Sequence, residues 1–525
     1  MHGRAVSLTA AWALSFFMMA GAQASVPLET PAAKSRFSYL DRDALLQAYQ
    51  AEVKKESMDF CNRLAPLLAE MQARGGYSGP IQSLQADADM WCAVDEKRWK
   101  DAYGHLLRVE SFDGEGSKGY VGFLIAWYAD EDPGAVQRLI ALAALQEPDE
   151  LLKVESREYR ILSDSLKQKD NLALRNQLFE ALYGSKHFSG IAWNVREAVA
   201  TVLLENDITA GRYQRAEALL SWVLSPNLYI QYLGDRRYTK VWPLLEKAAG
   251  PNLSTVGSKY IGLAGEAYRK DSGNTTAMKD YAQALYEVGL FEQAVSLVDL
   301  KGMDALDEDK AWALNVKANS LDILGRPAES EAVFNALVAV PYDKNRNGWL
   351  VSFAINRSLS LVEKGQWQKG YDASLLADKI TAQSGSEFAE ILVLYAKSCS
   401  LYQMGQKAKA RPLLEQVYLK RKVSYETAAY AMLCANDTER AEQIVLEGLA
   451  DDKEKSELSK VLQQNAFHSY VVNTKMPTLY QALRHRPKVD EAFQRIARDI
   501  PESMIPEAEF RRAELKKAMG VSGKP

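Results

Sequence analysis

Histidine is scarce in this chain, five residues in 525, and no two stand close enough in sequence to share a metal at a local motif. Cysteine is almost as sparse. Its four residues include no C-x-x-C pair, which excludes a zinc ribbon and a thioredoxin-type redox motif. Neither G-x-S-x-G, H-E-x-x-H nor S-x-x-K occurs, so no fixed spacing sets a nucleophile or metal beside its activating base. A charge bias is missing too. The formal charge of −4 and the pI near 6.0 leave no overall basic field, and nucleic acid is not an expected partner. No stretch alternates apolar and polar residues as a half-buried strand does, which points to an all-α class. Beyond residue 24, no apolar run approaches the roughly 18 residues of a spanning helix. Neither a cofactor nor a metal is expected, and an enzyme is not the first expectation.

What is present begins with an export address. Arg4 supplies the positive start, Ala10 to Ala20 the apolar core, and Ala22-Gln23-Ala24 the small residues a signal peptidase reads. Cleavage after Ala24 would leave a mature chain without a membrane span. In a Gram-negative source the destination is the periplasm, where contact with the envelope would be at most peripheral. That oxidising setting bears on Cys61, Cys92, Cys399 and Cys434. Four cysteines allow three connectivities. The local one, Cys61 with Cys92 and Cys399 with Cys434, needs no distant contact, while buried free thiols are the alternative.

Residues 25–40 read as a flexible, proline-containing lead. From Asp41 the apolar residues recur at helical spacing, and hydrophobic residues at 47% are enough to build a core. Residues 41–170 form a divergent helical region, 171–450 a repeat region, and 451–525 a helical cap punctuated by Pro477, Pro487, Pro501 and Pro506. Glycines at helix-to-helix turns mark the repeats. Gly289, Gly325, Gly365 and Gly405 are separated by 36, 40 and 40 residues, and Asn436 takes the same place 31 residues further on. Each turn is bracketed by small residues 12 apart: Ala282 and Ala294, Ala318 and Ser330, Ser358 and Gly370, Ser398 and Ala410, Ala429 and Ala441. Two antiparallel helices that pack closely need such a pair. Weaker units are suggested at Trp99 to Ala102, Tyr213 to Ala216 and Tyr238 to Val241, whereas Ser117 to Asp170 is helical without these marks.

These units resemble tetratricopeptide repeats. The paired small residues match that family's small positions, Phe291 and Trp367 its turn aromatic, Phe334 the large residue of its second helix, and Pro341 its terminal proline. The first-helix tryptophan and glycine of the family are mostly replaced. The resemblance implies a right-handed superhelical solenoid of antiparallel helix pairs with helical caps at both ends, whose concave groove is lined by one face of each first helix. The matching positions are Lys279, Gln283 and Tyr286, then Trp312, Asn315, Asn319 and Asp322. Ile355 and Leu359 follow, then Tyr395, Cys399 and Tyr402, and finally Glu426, Tyr430 and Cys434. Rings with amides suit a protein or peptide partner, although packing between repeats would use the same residues. Cys399 and Cys434 fall on this face in adjacent repeats.

Two other motifs remain. Gly114-Glu-Gly116-Ser-Lys-Gly119 has the spacing of a dinucleotide loop, but it follows a helical pattern rather than a strand and reads as a plain loop. Arg484-His-Arg486-Pro-Lys488 is a basic cluster, solvated or touching a polyanion. The expected function is a periplasmic, non-catalytic scaffold that holds a protein or peptide in the groove, serving envelope assembly, secretion or polysaccharide export. The alternatives are a peptidoglycan-active enzyme of the lytic-transglycosylase-like superhelical type and a glycan-binding protein.

Overall fold

A computed structural model describes residues 37–53, 60–74, 79–114, 116–145, 150–463 and 475–505. The export address and residues 25–36 of the lead lie outside the described residues. Among those described, every regular element is helical, and the one β feature is an isolated antiparallel bridge between Asp235 and Ala497. The chain separates into two compact units, divided between residues 203 and 204.

The first unit holds α1 (Arg42–Val53), α2 (Phe60–Ala73), α3 (Gly79–Asp95), α4 (Trp99–Asp113), α5 (Gly119–Tyr128), α6 (Asp132–Ala144), α7 (Ser156–Gln168) and α8 (Leu172–Gly184). The division falls within α9 (Trp193–Thr209). The second unit continues with α10 (Ala216–Leu220), α11 (Pro226–Gly234), α12 (Trp242–Ala249), α13 (Ser254–Lys270), α14 (Thr275–Glu287), α15 (Phe291–Leu297), α16 (Glu308–Ile323), α17 (Pro327–Val338) and α18 (Leu350–Glu363). It ends with α19 (Trp367–Ser384), α20 (Glu387–Gln403), α21 (Lys407–Leu419), α22 (Tyr425–Cys434), α23 (Thr438–Ala450), α24 (Lys455–Val461), α25 (Leu479–Leu483) and α26 (Pro487–Ile496).

The turn residues act as the spacing implies. Gly289, Gly325, Gly365, Gly405 and Asn436 all have positive φ, between 55° and 83°. Each closes its helix with the same pair of bonds. At the first, the Gly289 N–H donates to Tyr286 O (3.0 Å) and the Leu290 N–H to Leu285 O (2.8 Å). This is the Schellman arrangement, which satisfies carbonyls that a helix end leaves orphaned and turns the chain back on itself. Four of the five first helices start from a side-chain cap, supplied by Asn274, Asp307, Ser386 and Ser424 at α14, α16, α20 and α22. All ten small residues of the five pairs are buried, nine of them completely or nearly so in the core and Gly370 against its neighbours. A Cβ at Gly370 would stand 3.0 Å from Val362 Cγ2, so the helices α18 and α19 approach more closely than alanine accommodates without adjustment.

The same bond pair occurs at Lys97, Asp130, Asp170 and Gly211. The stretch Ser117 to Asp170 therefore contains turned helix pairs as well, at spacings of 33, 40 and 41 residues from Lys97 onward. Its marks are hidden for two reasons. Non-glycine residues occupy three of the left-handed positions, and the partners of the small residues Ala102 and Ala135 are the large Met90 and Phe123, all four buried. Tyr238 to Val241, by contrast, is a 3-10 segment, and the turn in that region falls at Gly250 instead.

The glycines at 114, 116 and 119 are a loop between α4 and α5, as expected, all with positive φ. Two amides here, one in the loop and one at the start of α5, donate to carboxylates of the protein itself. Gly116 N–H donates to Glu110 (3.1 Å) and Tyr120 N–H to Glu150 (2.6 Å). Glu110 is itself buried in an ion pair with Arg138. The dipole and amides that would hold a pyrophosphate in a nucleotide fold are here spent on the protein's own carboxylates.

In the second unit the last elements return to the first. Arg236 Nε donates to the carbonyls of Gln494 (2.6 Å) and Ala497 (3.0 Å), and Gln231 reaches Ser456 on α24 (3.2 Å). Arg498 is the centre of this closure. Its N–H meets Gly234 O (2.8 Å), its Nε Leu233 O (2.8 Å), its Nη2 Glu246 (2.9 Å), and its guanidinium lies 3.5 Å from the Trp242 ring centroid. The basic cluster is consumed nearby, not solvated as expected for most of its charge. Arg484 is 2% exposed, stacked on Phe493 and paired with Asp490 and Asp499, while Arg486 pairs with Glu442.

Two predictions follow from these contacts. Asp170 is exposed with φ 55°, so Asp170→Gly relieves a left-handed side chain; stability in urea should rise by about 1 kcal/mol. Arg498→Ala should lose about 2 kcal/mol in the same measurement, because it removes two charge-assisted bonds and a cation–π contact together. A neutral result at Arg498 would mean that the closure adds nothing to the unit.

Candidate functional site

Successive first helices of the second unit pack on one another, α14 on α16, α18 on α20 and α20 on α22. The faces they share place tyrosines and carboxylates within electrostatic reach of one another. Tyr286 feels Glu363, Asp322 and Glu287, and Tyr395 feels Glu363, Tyr430 and Glu426. These groups come from five different helices and therefore converge on one face.

Burial is the main influence on each. It pushes the Glu363 carboxyl up to about 7, with Asp322 adding, Lys364 opposing and Glu426 adding again. Glu287 is raised by burial against the hydrogen bonds of Gln283, Ser225 and Asn227; Ser225 Oγ donates to it at 2.7 Å. Glu426 is raised by burial and by Glu457, with Lys460 opposing. Yet the Glu426 side chain is exposed and Glu363 only half-buried. A carboxylate open to solvent but closely surrounded by protein stands in a recess, not on a convex surface. The Tyr286 phenol is pushed to about 12, and those of Tyr395 and Tyr430 are raised as well, in each case first by burial.

The positions expected to line a groove divide into two sets. Tyr286, Asp322, Tyr395, Glu426 and Tyr430 belong to the recess. Most of the others are engaged within a repeat or between repeats. Lys279 pairs with Asp309 (2.7 Å), Gln283 donates to Glu287 (3.0 Å), Trp312 meets Phe353 edge to face at 4.9 Å, and Asn315 accepts from Asn356 (3.0 Å). Asn319 and Leu359 are half-buried, Ile355 is in the core, and Tyr402 lies under Lys407 with the ammonium 5.0 Å from its ring centroid. Asp322 is held by Lys364 (2.6 Å) and Ser360 (3.1 Å). Three participants were not anticipated: Glu287, Glu363 and Lys364. Glu287 and Glu363 both stand two residues before the turn glycine. One more position in the last helical turn, beside Tyr286 and Asp322 at three residues before it, points into the recess.

Cys399 and Cys434 form a disulfide between α20 and α22, with Cα atoms 5.5 Å apart and both residues 0–1% exposed. Cys61 and Cys92 pair likewise, at 5.4 Å. The 35-residue separation of the first pair corresponds to about 4 kcal/mol of lost unfolded-chain entropy. Its effect on the recess is to tie together the two helices that carry Tyr395, Glu426 and Tyr430. Among the described residues no group of three or more His, Cys, Asp or Glu is arranged to hold a metal ion, and no helix is long and apolar enough to cross a membrane.

A carboxyl raised in the folded state binds a proton where the unfolded chain has lost it. Its contribution to stability is complete below pH 4.5 and is lost as pH climbs towards 7. Glu363→Gln removes that penalty. At pH 8 it should be more stable than the native sequence by on the order of 1 kcal/mol after allowance for solvent access, seen as a higher melting temperature, and the two should converge near pH 4.5. Equal melting at both pH values would show that Glu363 carries no such strain.

Compared with known proteins, the chain matches no protein-family model and no curated protein sequence.

Proposed function

We propose that the second unit is a tetratricopeptide-like scaffold that holds a protein or peptide partner in its recess and works outside the cytoplasm, in the periplasm of a Gram-negative cell. The observation that carries this reading is the convergence of tyrosines and carboxylates from α14, α16, α18, α20 and α22 on one solvent-reached face. Tyrosine gives large contact area at low entropic cost, and carboxylates accept from backbone amides or pair with basic side chains. The export address and the two disulfides support an oxidising destination. Such scaffolds serve multicomponent assemblies such as secretion or polysaccharide export, and the recess would select the assembly.

Site-specific photo-crosslinking in the intact envelope tests this. A crosslinker at Tyr430 or Glu426 should give a discrete protein adduct, and one at Leu419, which is 74% exposed on a second helix, should not. Adducts from Leu419 alone would refute the recess as the docking face.

Glu363 favours a second reading. A half-buried carboxyl held near 7 has the protonation a general acid needs for glycosidic cleavage. In that case the protein would release muropeptides from purified peptidoglycan and Glu363→Gln would abolish release. No release from the native protein leaves the scaffold reading.

A further inference from the structure

The face that carries Glu363, Tyr395 and Tyr430 is not bare along its whole length. Lys475, Met476, Pro477 and Thr478 lead into α25 without regular structure and lie against it. The Lys475 N–H donates to Glu363 O at 2.7 Å. That carbonyl belongs to the last turn of α18, where the helix supplies no donor of its own. The Lys475 stem rests on the turn that follows. A Cβ added to Gly365 would stand 2.7 Å from Lys475 Cγ and 3.3 Å from Lys475 Cβ, whereas Gly405, at the same place in the next hairpin, faces open space. Met476 is 7% exposed and belongs to the buried cluster that contains Tyr395, Cys399 and Cys434, with Tyr430 packed against that cluster. Leu479 then starts α25, which packs on α22.

These are the contacts of a bound linear peptide. An N–H answers an orphaned carbonyl, a basic stem lies at the negative end of a helix dipole, and an apolar side chain is sunk between two exposed neighbours, Lys475 and Pro477. Pro477 holds Met476 in the extended form such binding uses. A separate chain could reproduce every one of these contacts. The helices that follow have holds of their own, Arg484 on Phe493 and Asp499 and Arg486 on Glu442, and do not depend on the stretch before them.

Taking the recess as the docking face, we propose that Lys475–Thr478 is its built-in occupant, displaced by a partner that binds as a linear peptide of the same chemistry: a basic residue, a large apolar one, then proline. The partner's main chain takes over the Glu363 carbonyl, and its apolar side chain takes the place of Met476. A site that is mostly occupied binds a competitor only in proportion to the fraction that is open, so the stretch sets how strongly any such partner is held.

The probe is a fluorophore-labelled, amidated Lys-Met-Pro-Thr-Leu peptide, titrated into the full-length protein and followed by anisotropy. Met476→Ser removes the buried anchor of the protein's own stretch and should bind the probe about tenfold more tightly than the native protein does. Met476→Ala, a milder change, gives the same comparison if the serine variant melts below the assay temperature. A probe with serine in place of methionine should bind none of the three proteins. The proposal is overturned if the methionine probe fails to bind the variants, if native and variant proteins bind it equally, or if the serine probe binds as well. A protein adduct from Tyr430 or Glu426 in the intact envelope, together with no probe binding, would leave the recess as the docking face and remove the built-in occupant.

Discussion

One residue entering the left-handed region at the end of a helix governs most of this architecture. At Gly289, Gly325, Gly365, Gly405 and Asn436 it ends the first helix, satisfies its last carbonyls and fixes where the second helix begins. Because the reversal has constant geometry, the small residues seven before and five after it face each other, and the helices close on buried Ala, Ser and Gly. The first helices then stack in register. That register brings Tyr286, Glu363, Tyr395 and Glu426 to a common face, and it brings Cys399 opposite Cys434.

The recess carries an electrostatic cost that packing does not require. Glu287, Glu363 and Glu426 all have carboxyls raised by burial, and Lys364 is committed largely to Asp322. Carboxylates on a convex surface would titrate without penalty. A protein that keeps several in a surrounded position gives up stability at neutral pH, as functional sites commonly do.

The fold was legible wherever backbone demand and side-chain choice coincide. Glycine at a left-handed position is conspicuous, so the repeats from Gly289 onward could be read directly. Lys97, Asp130 and Asp170 adopt the same conformation at a cost of about 1–2 kcal/mol each and leave no compositional trace, which hid the earlier turns. The cysteine pairing was readable as one of several options because 31 and 35 residues are about one repeat. The site was less legible. Lys279, Trp312 and Asn315 sit at the expected register yet are used between repeats, since periodicity reports a face and not what opposes it. Glu287 and Glu363 were missed because a carboxylate near a helix end reads as an ordinary solvated group until its neighbours are known.

The return of Arg498 to Leu233, Gly234, Trp242 and Glu246 bears on how the second unit is made and how it evolves. In an open array each repeat depends only on its neighbours, so folding can nucleate at any repeat and a repeat is gained or lost at modest cost. Here residues more than 250 positions apart complete one another. These contacts on α11 and α12 therefore form only across about 250 intervening residues, and contacts of such long range slow folding. Duplication or deletion of a single hairpin would leave the two ends facing the wrong way. Repeat number in this unit is thus a fixed quantity, set by closure rather than by the length of a partner.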